Sequence, residues 1–254
     1  MRGRLVVTEA LVLSSRPFRE ADRVCTLYTL DYGKLQARFV SVDRPMGKLK
    51  ALAEPLTLAE HRLHIRSGAE SAVAAGGAVA TVFPRLRQDL GLTLRGLQVL
   101  ELLDRLTPYW SPSPEKFRLA KECLHTLQVC VATDGSDATW LVGAFGLRLL
   151  EAAGFGMGQR RVSEKNRALW DSLHEAPFER VLALPPDPAL QARLESFIRK
   201  SVEALIQQPL RVPGVQRDIL SALKRGLHPI KQTASAPVTS PRDGHAPARA
   251  EGLG

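Results

Sequence analysis

The strongest constraint in this chain of 254 residues is a change of hydrophobic period near Pro84. Before it, apolar residues tend to alternate with polar ones; after it, they recur every three or four positions. Alternation suits half-buried strands and the longer spacing suits amphipathic helices, so strands come first and helices follow. That order predicts an α+β, multidomain protein, with an N-terminal five-stranded OB-type β-barrel followed by an all-helical domain.

Five segments read as strands: Leu5–Arg16, Asp22–Thr29, Lys34–Val42, Leu56–Ile65 and Glu70–Val82. Turn chemistry separates them at Arg16-Pro17, Asp31-Tyr32-Gly33, Pro45-Met46-Gly47 and Ser67-Gly68. Five short strands left as an open sheet would expose pairing edges, which closure removes. An OB-type barrel is the commonest solution at this length, and an SH3-like barrel is the alternative.

The helical part begins with residues 87–106, apolar nearly all round and so suited to a buried helix. Ser113-Pro114 starts a second helix, with Phe117, Ala120, Leu124, Leu127 and Val131 as its stripe. Trp140–Ala153 makes a third, stopped by Gly154, and a polar stretch runs from Gly156 to about Glu179. Leu190, Leu194, Phe197, Ser201 and Leu205 mark a fourth, and Val215–Leu227 a fifth. The expected division is 1–82 for the barrel, 83–231 for the helices, and 232–254 for a disordered tail with almost nothing to bury.

With 44% hydrophobic residues, the chain can build an ordinary packed core. A net charge of +9 fits an anionic partner. No apolar run approaches the roughly 20 residues of a membrane span. The stretch MRGRLVVTEALVLSSRPFRE is broken by Thr8 and Glu9 and lacks a small-residue cleavage site, so it reads as a strand and not a signal peptide. Three cysteines do not make a secreted disulfide framework, and the expected location is cytoplasmic.

Enzymatic signatures are missing. There is no phosphate-binding Gly-rich loop before a Lys-Ser/Thr pair and no Gly-x-Ser-x-Gly elbow, while Gly154-Phe155-Gly156-Met157-Gly158 follows a helix and reads as its stop. His61 and His64 are three apart on a strand and so face opposite sides. Cys123 and Cys130, placed on one helix, lie about 10 Å apart along its axis, too far for a disulfide. They read as buried thiols. Neither a cofactor nor a metal site is expected, and the chain reads as a non-enzyme.

The third strand carries a different signal. Lys34, Gln36 and Arg38 point one way, while Leu35, Ala37 and Phe39 point the other. Donors on one strand face repeat at about 7 Å, comparable with the phosphate spacing of an extended single strand. Arg16, Arg19 and Arg23 precede this strand and Arg44, Lys48 and Lys50 follow it, against Glu20, Asp22, Asp31 and Asp43. Alone, such a strand reads as a solvated face. In an OB-type barrel beside a basic loop, it reads as a groove for single strands. The aromatic candidates for stacking are Phe18, Tyr28, Tyr32 and Phe39, the last pointing with the core set.

Several stretches together resemble the RecO family of bacterial recombination mediators. They are Glu9 to Arg23 (EALVLSSRPFREADR), Leu27-Tyr28-Thr29 with Gly33-Lys34-Leu35, Leu52-Ala53-Glu54-Pro55-Leu56, Leu100-Glu101-Leu102-Leu103, and Phe145 to Phe155 (FGLRLLEAAGF). The resemblance implies an OB fold with a helical domain, binding of single- and double-stranded DNA, and annealing of complementary strands. It also implies partnership with RecR and with the C-terminal tail of the single-stranded DNA-binding protein SSB, so that RecA is loaded onto coated DNA. Association with the nucleoid follows. The family's basic barrel positions fall on Lys34 and Arg38.

Two departures stand out. Many relatives carry four zinc cysteines after the Leu-Leu-Glu helix; here the corresponding region near 156–180 has none, and the module is degenerate. A short helix of Val162, Leu169, Trp170 and Leu173 is expected to pack in its place. Where some relatives hold the SSB tail with basic residues before the helix phenylalanine, this chain has Val142, Gly143 and Ala144. Arg118 or Arg148 could substitute, although a solvated arginine is the plainer reading of each. The competing functional readings are a protein-interaction scaffold with weak DNA binding, and an OB-fold RNA-binding protein.

Overall fold

In the computed structural model, described for residues 3–44, 49–66, 71–130, 138–157, 162–215 and 219, five strands close into a barrel. They are β1 (Gly3–Phe18), β2 (Asp22–Thr29), β3 (Gly33–Phe39), β4 (Leu58–Arg66) and β5 (Ser71–Thr81), in the order β1-β2-β3-β5-β4. The 16-residue β1 pairs with β4 through its first half and with β2 through its second. A parallel β3–β5 pair closes the ring. This is the OB-type arrangement expected from the alternating segments.

The strand ends differ from expectation by a few residues, for backbone reasons. Ser41 sits at φ 56°, which turns the chain soon after β3 and not at Val42. Leu56 sits at φ 57°, so β4 does not start until Leu58. The turns expected at Pro45-Met46-Gly47 and Ser67-Gly68 lie outside the described residues, as do nearly all of the Val215–Leu227 segment and residues 232–254.

The inward residues of the barrel, among them Val12, Leu27, Leu35, Ala37, Phe39, Ala59 and Leu63, form one core. Alternation along β3 holds as read: Leu35, Ala37 and Phe39 are fully buried. His61 is buried and His64 exposed, on the opposite faces their odd separation requires.

After the barrel come α1 (Pro84–Gln88), α2 (Leu90–Leu106), α3 (Pro114–Leu127), α4 (Thr139–Ala152), α5 (Glu164–Glu175), α6 (Phe178–Leu182) and α7 (Pro188–Ile206). Asp89 accepts a hydrogen bond from the Leu92 N–H, and this N-cap divides the expected 87–106 helix into α1 and α2. Ser113 caps α3 with Pro114 in its first turn. α3 stops at Leu127, so Cys130 lies in the turn beyond and not on the same helix as Cys123. All three cysteines are buried thiols.

α4 is the central helix, buried on every side from Thr139 to Leu147. Its glycines let α7 come close: a Cβ on Gly143 would lie 2.4 Å from a Leu194 methyl, and one on Gly146 2.9 Å from Ile198. The expected short helix is α5, with Leu173 buried and Leu169 and Trp170 packed against the helical core; Val162, expected within it, precedes its first residue, Glu164.

This second core does not end at the barrel. Leu11, Leu13, Tyr28 and Leu58, on the barrel's outer surface, belong to it, and Tyr28 stacks on Phe117 with ring centroids 6.4 Å apart. Arg87 bridges the junction, donating to the carbonyls of Val82 and Pro55 and to the Thr57 hydroxyl. The two cores share one compact unit, and the helical one draws side chains from both sides of residue 82, where the division was expected. No helix among the described residues is long and apolar enough to cross a membrane.

Candidate nucleic-acid interface

Strand register arranges the basic residues. Arg16 lies opposite Val24, and Val24 opposite Arg38, so Arg16 and Arg38 share one row across β1, β2 and β3. The neighbouring row is polar and uncharged: Ser14, Thr26, Gln36 and Ser71. At the strand ends, Phe18 lies opposite Asp22. Helices cover Tyr28 and Leu11, so along β2 and β3 it is this upper part of the outer face that meets solvent.

Arg19 and Arg44 join the row from the two loops beside it. The Asp43 N–H donates to the Ala21 carbonyl at 3.0 Å, and the Ser41 N–H to the Asp22 carboxylate at 2.8 Å. These bonds hold the 41–44 loop against the 19–22 turn, bringing Arg16, Arg19, Arg38 and Arg44 to one end of the barrel. Arg16, Arg19 and Arg44 are exposed, and none has an ion-pair partner among the described residues. Lys50 is also exposed, on the approach to a short 3₁₀ turn; Lys48 lies outside the described residues.

The other basic residues are held by carboxylates. Arg38 donates through Nε and Nη2 to Asp22 at 2.9 and 2.6 Å. The Ser41 N–H, and then Arg38, hold the Asp22 carboxyl below its ordinary value. Arg23 has the parity of the inner set and sits at the barrel mouth. There it bonds Asp43 at 2.9 Å and Glu54 at 3.1 Å, and the Asp43 bond raises its already high pKa.

Lys34 departs furthest from a solvated basic face. It is only 7% exposed, because the helical part covers this end of β3. Its ammonium lies 3.2 Å from an Asp104 carboxylate oxygen, donates to the Asp104 carbonyl at 2.5 Å, and sits 4.6 Å from the centre of the Tyr109 ring. Asp104 is in the last turn of α2, where unsatisfied carbonyls and the helix dipole favour a cation. Gln36 reaches the same tyrosine, its Nε2 3.4 Å from the hydroxyl.

The alternation that marks β3 does not single out Arg62 or Arg66. Both are exposed on β4, and the register that sets His64 opposite Val73 and Val73 opposite Arg38 carries the basic surface round to them. Their signal was the alternation in His61-Arg62-Leu63-His64-Ile65-Arg66, legible only once β4 is known to neighbour β5.

The helical departures also have a structural outcome. Val142, Gly143 and Ala144 are buried, Gly143 directly beneath Leu194, so this stretch offers no surface to a peptide. Arg148 is not a solvated arginine. Its Nε donates to the Leu173 carbonyl at 2.9 Å, Nη2 donates to the Ala176 carbonyl, and the guanidinium lies 4.5 Å from the Phe178 ring centre. Arg118 is exposed on α3. No cluster of three or more His, Cys, Asp or Glu among the described residues could hold a metal ion.

Residues 1–75 match the family model described as Recombination protein O N terminal. The protein called DNA repair protein RecO from Geobacter metallireducens is 37% identical over 121 residues, 47% of this chain and 48% of that protein. Its namesake from Geobacter sulfurreducens is 36% identical over 119 residues, with the same shares. The one from Desulfitobacterium hafniense is 31% identical over 147 residues, 58% of this chain and 51% of that protein. The chain spans about half the length of the curated relatives it matches. The part matched by the family model takes in β1 to β4 and with them the basic row, and over it the chain is similar to the RecO family.

Proposed function

We propose that this protein acts in recombinational DNA repair by binding DNA, without catalysing a reaction, through the solvent-facing end of its barrel. The carrying observation is the Arg16–Arg38 row with Arg19 and Arg44 beside it and a row of neutral donors below. Such a surface contacts phosphates and reads little sequence. Within it, Arg16, Arg19, Arg44 and Lys50 supply free charge, Arg38 a held guanidinium, and Gln36 a neutral donor. Arg23 and Lys34 shape the surface from its borders.

In this reading the protein binds single- and double-stranded DNA, anneals complementary single strands, and works with RecR to load RecA onto SSB-coated DNA. It would then work in the cytoplasm, at the nucleoid. The names of the relatives support the repair role, and the barrel surface supports the DNA. An SSB tail, if it docks on this chain, does so away from the buried Val142–Ala144 stretch.

Fluorescence anisotropy across a salt series, with a strand-annealing assay on bare and SSB-coated oligonucleotides, tests the proposal. Salt-dependent binding and annealing are expected. A protein-interaction scaffold is the second reading, favoured by the carboxylates that hold Arg23, Lys34 and Arg38. Its signature is negligible DNA affinity at moderate salt. An RNA oligonucleotide of the same sequence, bound more tightly than DNA, would instead point to an RNA-binding OB fold.

A further inference from the structure

Among the four aromatic candidates for stacking, Phe18, Tyr28, Tyr32 and Phe39, the fold separates one from the rest. Tyr28 is fully buried against Phe117 and belongs to the helical core. Phe39 is fully buried inside the barrel, edge-on to His61. Tyr32 packs on the barrel core and accepts a hydrogen bond from Arg4 at 2.6 Å. Phe18 belongs to neither core. It stands on the outer face at the end of β1, two residues beyond Arg16, and is partly exposed.

Its ring is covered by charge instead of by apolar side chains. The guanidinium carbon of Arg19 lies 5.4 Å from the ring centre and that of Arg38 lies 5.5 Å from it. These two arginines are not equivalent. Arg38 is fixed by two hydrogen bonds to Asp22, whereas Arg19 is exposed, in the turn after β1, with no ion pair among the described residues. One cover is therefore fastened and the other is loose.

Resting on the reading of this barrel end as a DNA-binding surface, we infer that Phe18 is a stacking platform for an unpaired base and makes the surface prefer single strands over duplex. A base stacked on an aromatic ring gains more than an exposed cation does, so the base displaces the Arg19 guanidinium. Arg19 is then free to meet the phosphate beside that base, while Arg38, held by Asp22, keeps its place at the ring. In duplex DNA the base faces are occupied by their neighbours, so the ring contributes nothing and only the phosphate contacts remain.

The test uses the full chain with Phe18→Leu and Phe18→Trp, a thymidine oligonucleotide, and a duplex of equal length. Phe18→Leu is expected to weaken single-strand binding about 5- to 160-fold, the range for losing one stacked base. Its salt slope and duplex affinity should match the parent's. Phe18→Trp should restore single-strand affinity, and its indole fluorescence should be quenched by the oligonucleotide but not by the duplex, beyond any change in the parent protein. Matching thermal melts exclude a folding effect. Equal losses on both DNAs, no loss on either, or an indole the single strand leaves unquenched would overturn the inference. A parent protein with no salt-dependent DNA binding would sink the DNA-binding reading itself. Parental binding untouched by Phe18→Leu would sink only the role of Phe18.

Discussion

Lys34 of β3 reaches the end of α2, where its ammonium lies 3.2 Å from the Asp104 carboxylate. The pair joins the barrel to the helices, since the two residues are 70 positions apart in sequence. The lysine is nearly buried while Asp104 keeps about a third of its side chain in water, so the pair is only partly screened. Lys34→Ala removes the charge-assisted bond to the helix end and leaves the carboxylate able to hydrate. A loss of about 1–2 kcal/mol is expected, seen as a lower urea midpoint with an unchanged m-value. A variant as stable as the parent would show that the contact contributes nothing in solution.

The exposed row makes a different prediction. Arg16→Gln with Arg38→Gln keeps a hydrogen-bond donor beside Asp22 but removes two positive charges. If both arginines contact phosphates, the slope of log affinity against log salt should flatten by roughly 0.7 per lost contact on single strands. Stability should move less than in Lys34→Ala, because Arg16 is exposed and has no partner among the described residues. An unchanged slope in the double variant would take this row out of the binding surface.

His61 makes the barrel sensitive to acid. It lies inside the barrel edge-on to Phe39, with neither ring nitrogen hydrogen-bonded to a described residue, and burial pushes its pKa down to about 4. In the unfolded chain the same imidazole titrates near 6.5. The stability linked to a neutral His61 is therefore expected to be full above about pH 6.5 and to be lost as the pH falls towards 4. The loss at the acid end is on the order of 3 kcal/mol. His61→Leu should flatten that part of the stability curve, measured by urea unfolding across the window. If parent and variant lose stability in parallel, another group causes the acid loss.

The barrel was the most legible part of the chain because alternation, turn residues and strand length all pointed the same way. Residues 34 to 39 needed no other information to divide into an inner and an outer set. What β3 alone could not reveal was its surroundings. Lys34 and Arg38 look equivalent in sequence, two turns of the same alternation, yet helices cover one and water meets the other. That difference arises from contacts with Asp104 and Tyr109, far along the chain. Arg23 gives the same lesson: its parity assigns it to the inner set, but its charge invites placement on the surface. The mouth of the barrel, lined by Asp43 and Glu54, satisfies both. Likewise, Arg148 reads as a solvated arginine until the end of α5 is seen beside it.

Arg148 supports the last prediction, which concerns residues 156–180, where the family resemblance implies a zinc module and this chain has no cysteine. Here α5 rests on the helical core through Leu169, Trp170 and Leu173. Arg148, from α4, donates to the carbonyls of Leu173 and Ala176 at the end of α5 and lies against Phe178 at the start of α6. One guanidinium thus ties three helices, and it does so in surroundings dry enough that burial lowers its pKa. Arg148→Met preserves much of the side-chain bulk but strands two carbonyls at a helix end. Leaving such groups unpaired costs about 1–3 kcal/mol each when they are buried, and less where water can reach them. Hydrogen exchange should therefore quicken in residues 164–182, while the barrel amides stay protected. If packing and this arginine hold the segment, elemental analysis should find no stoichiometric zinc in the parent protein, and chelator should leave its melting curve in place. About one zinc per chain, a chelator-induced fall in melting temperature, or unaltered exchange in Arg148→Met would each show that something else fixes α5.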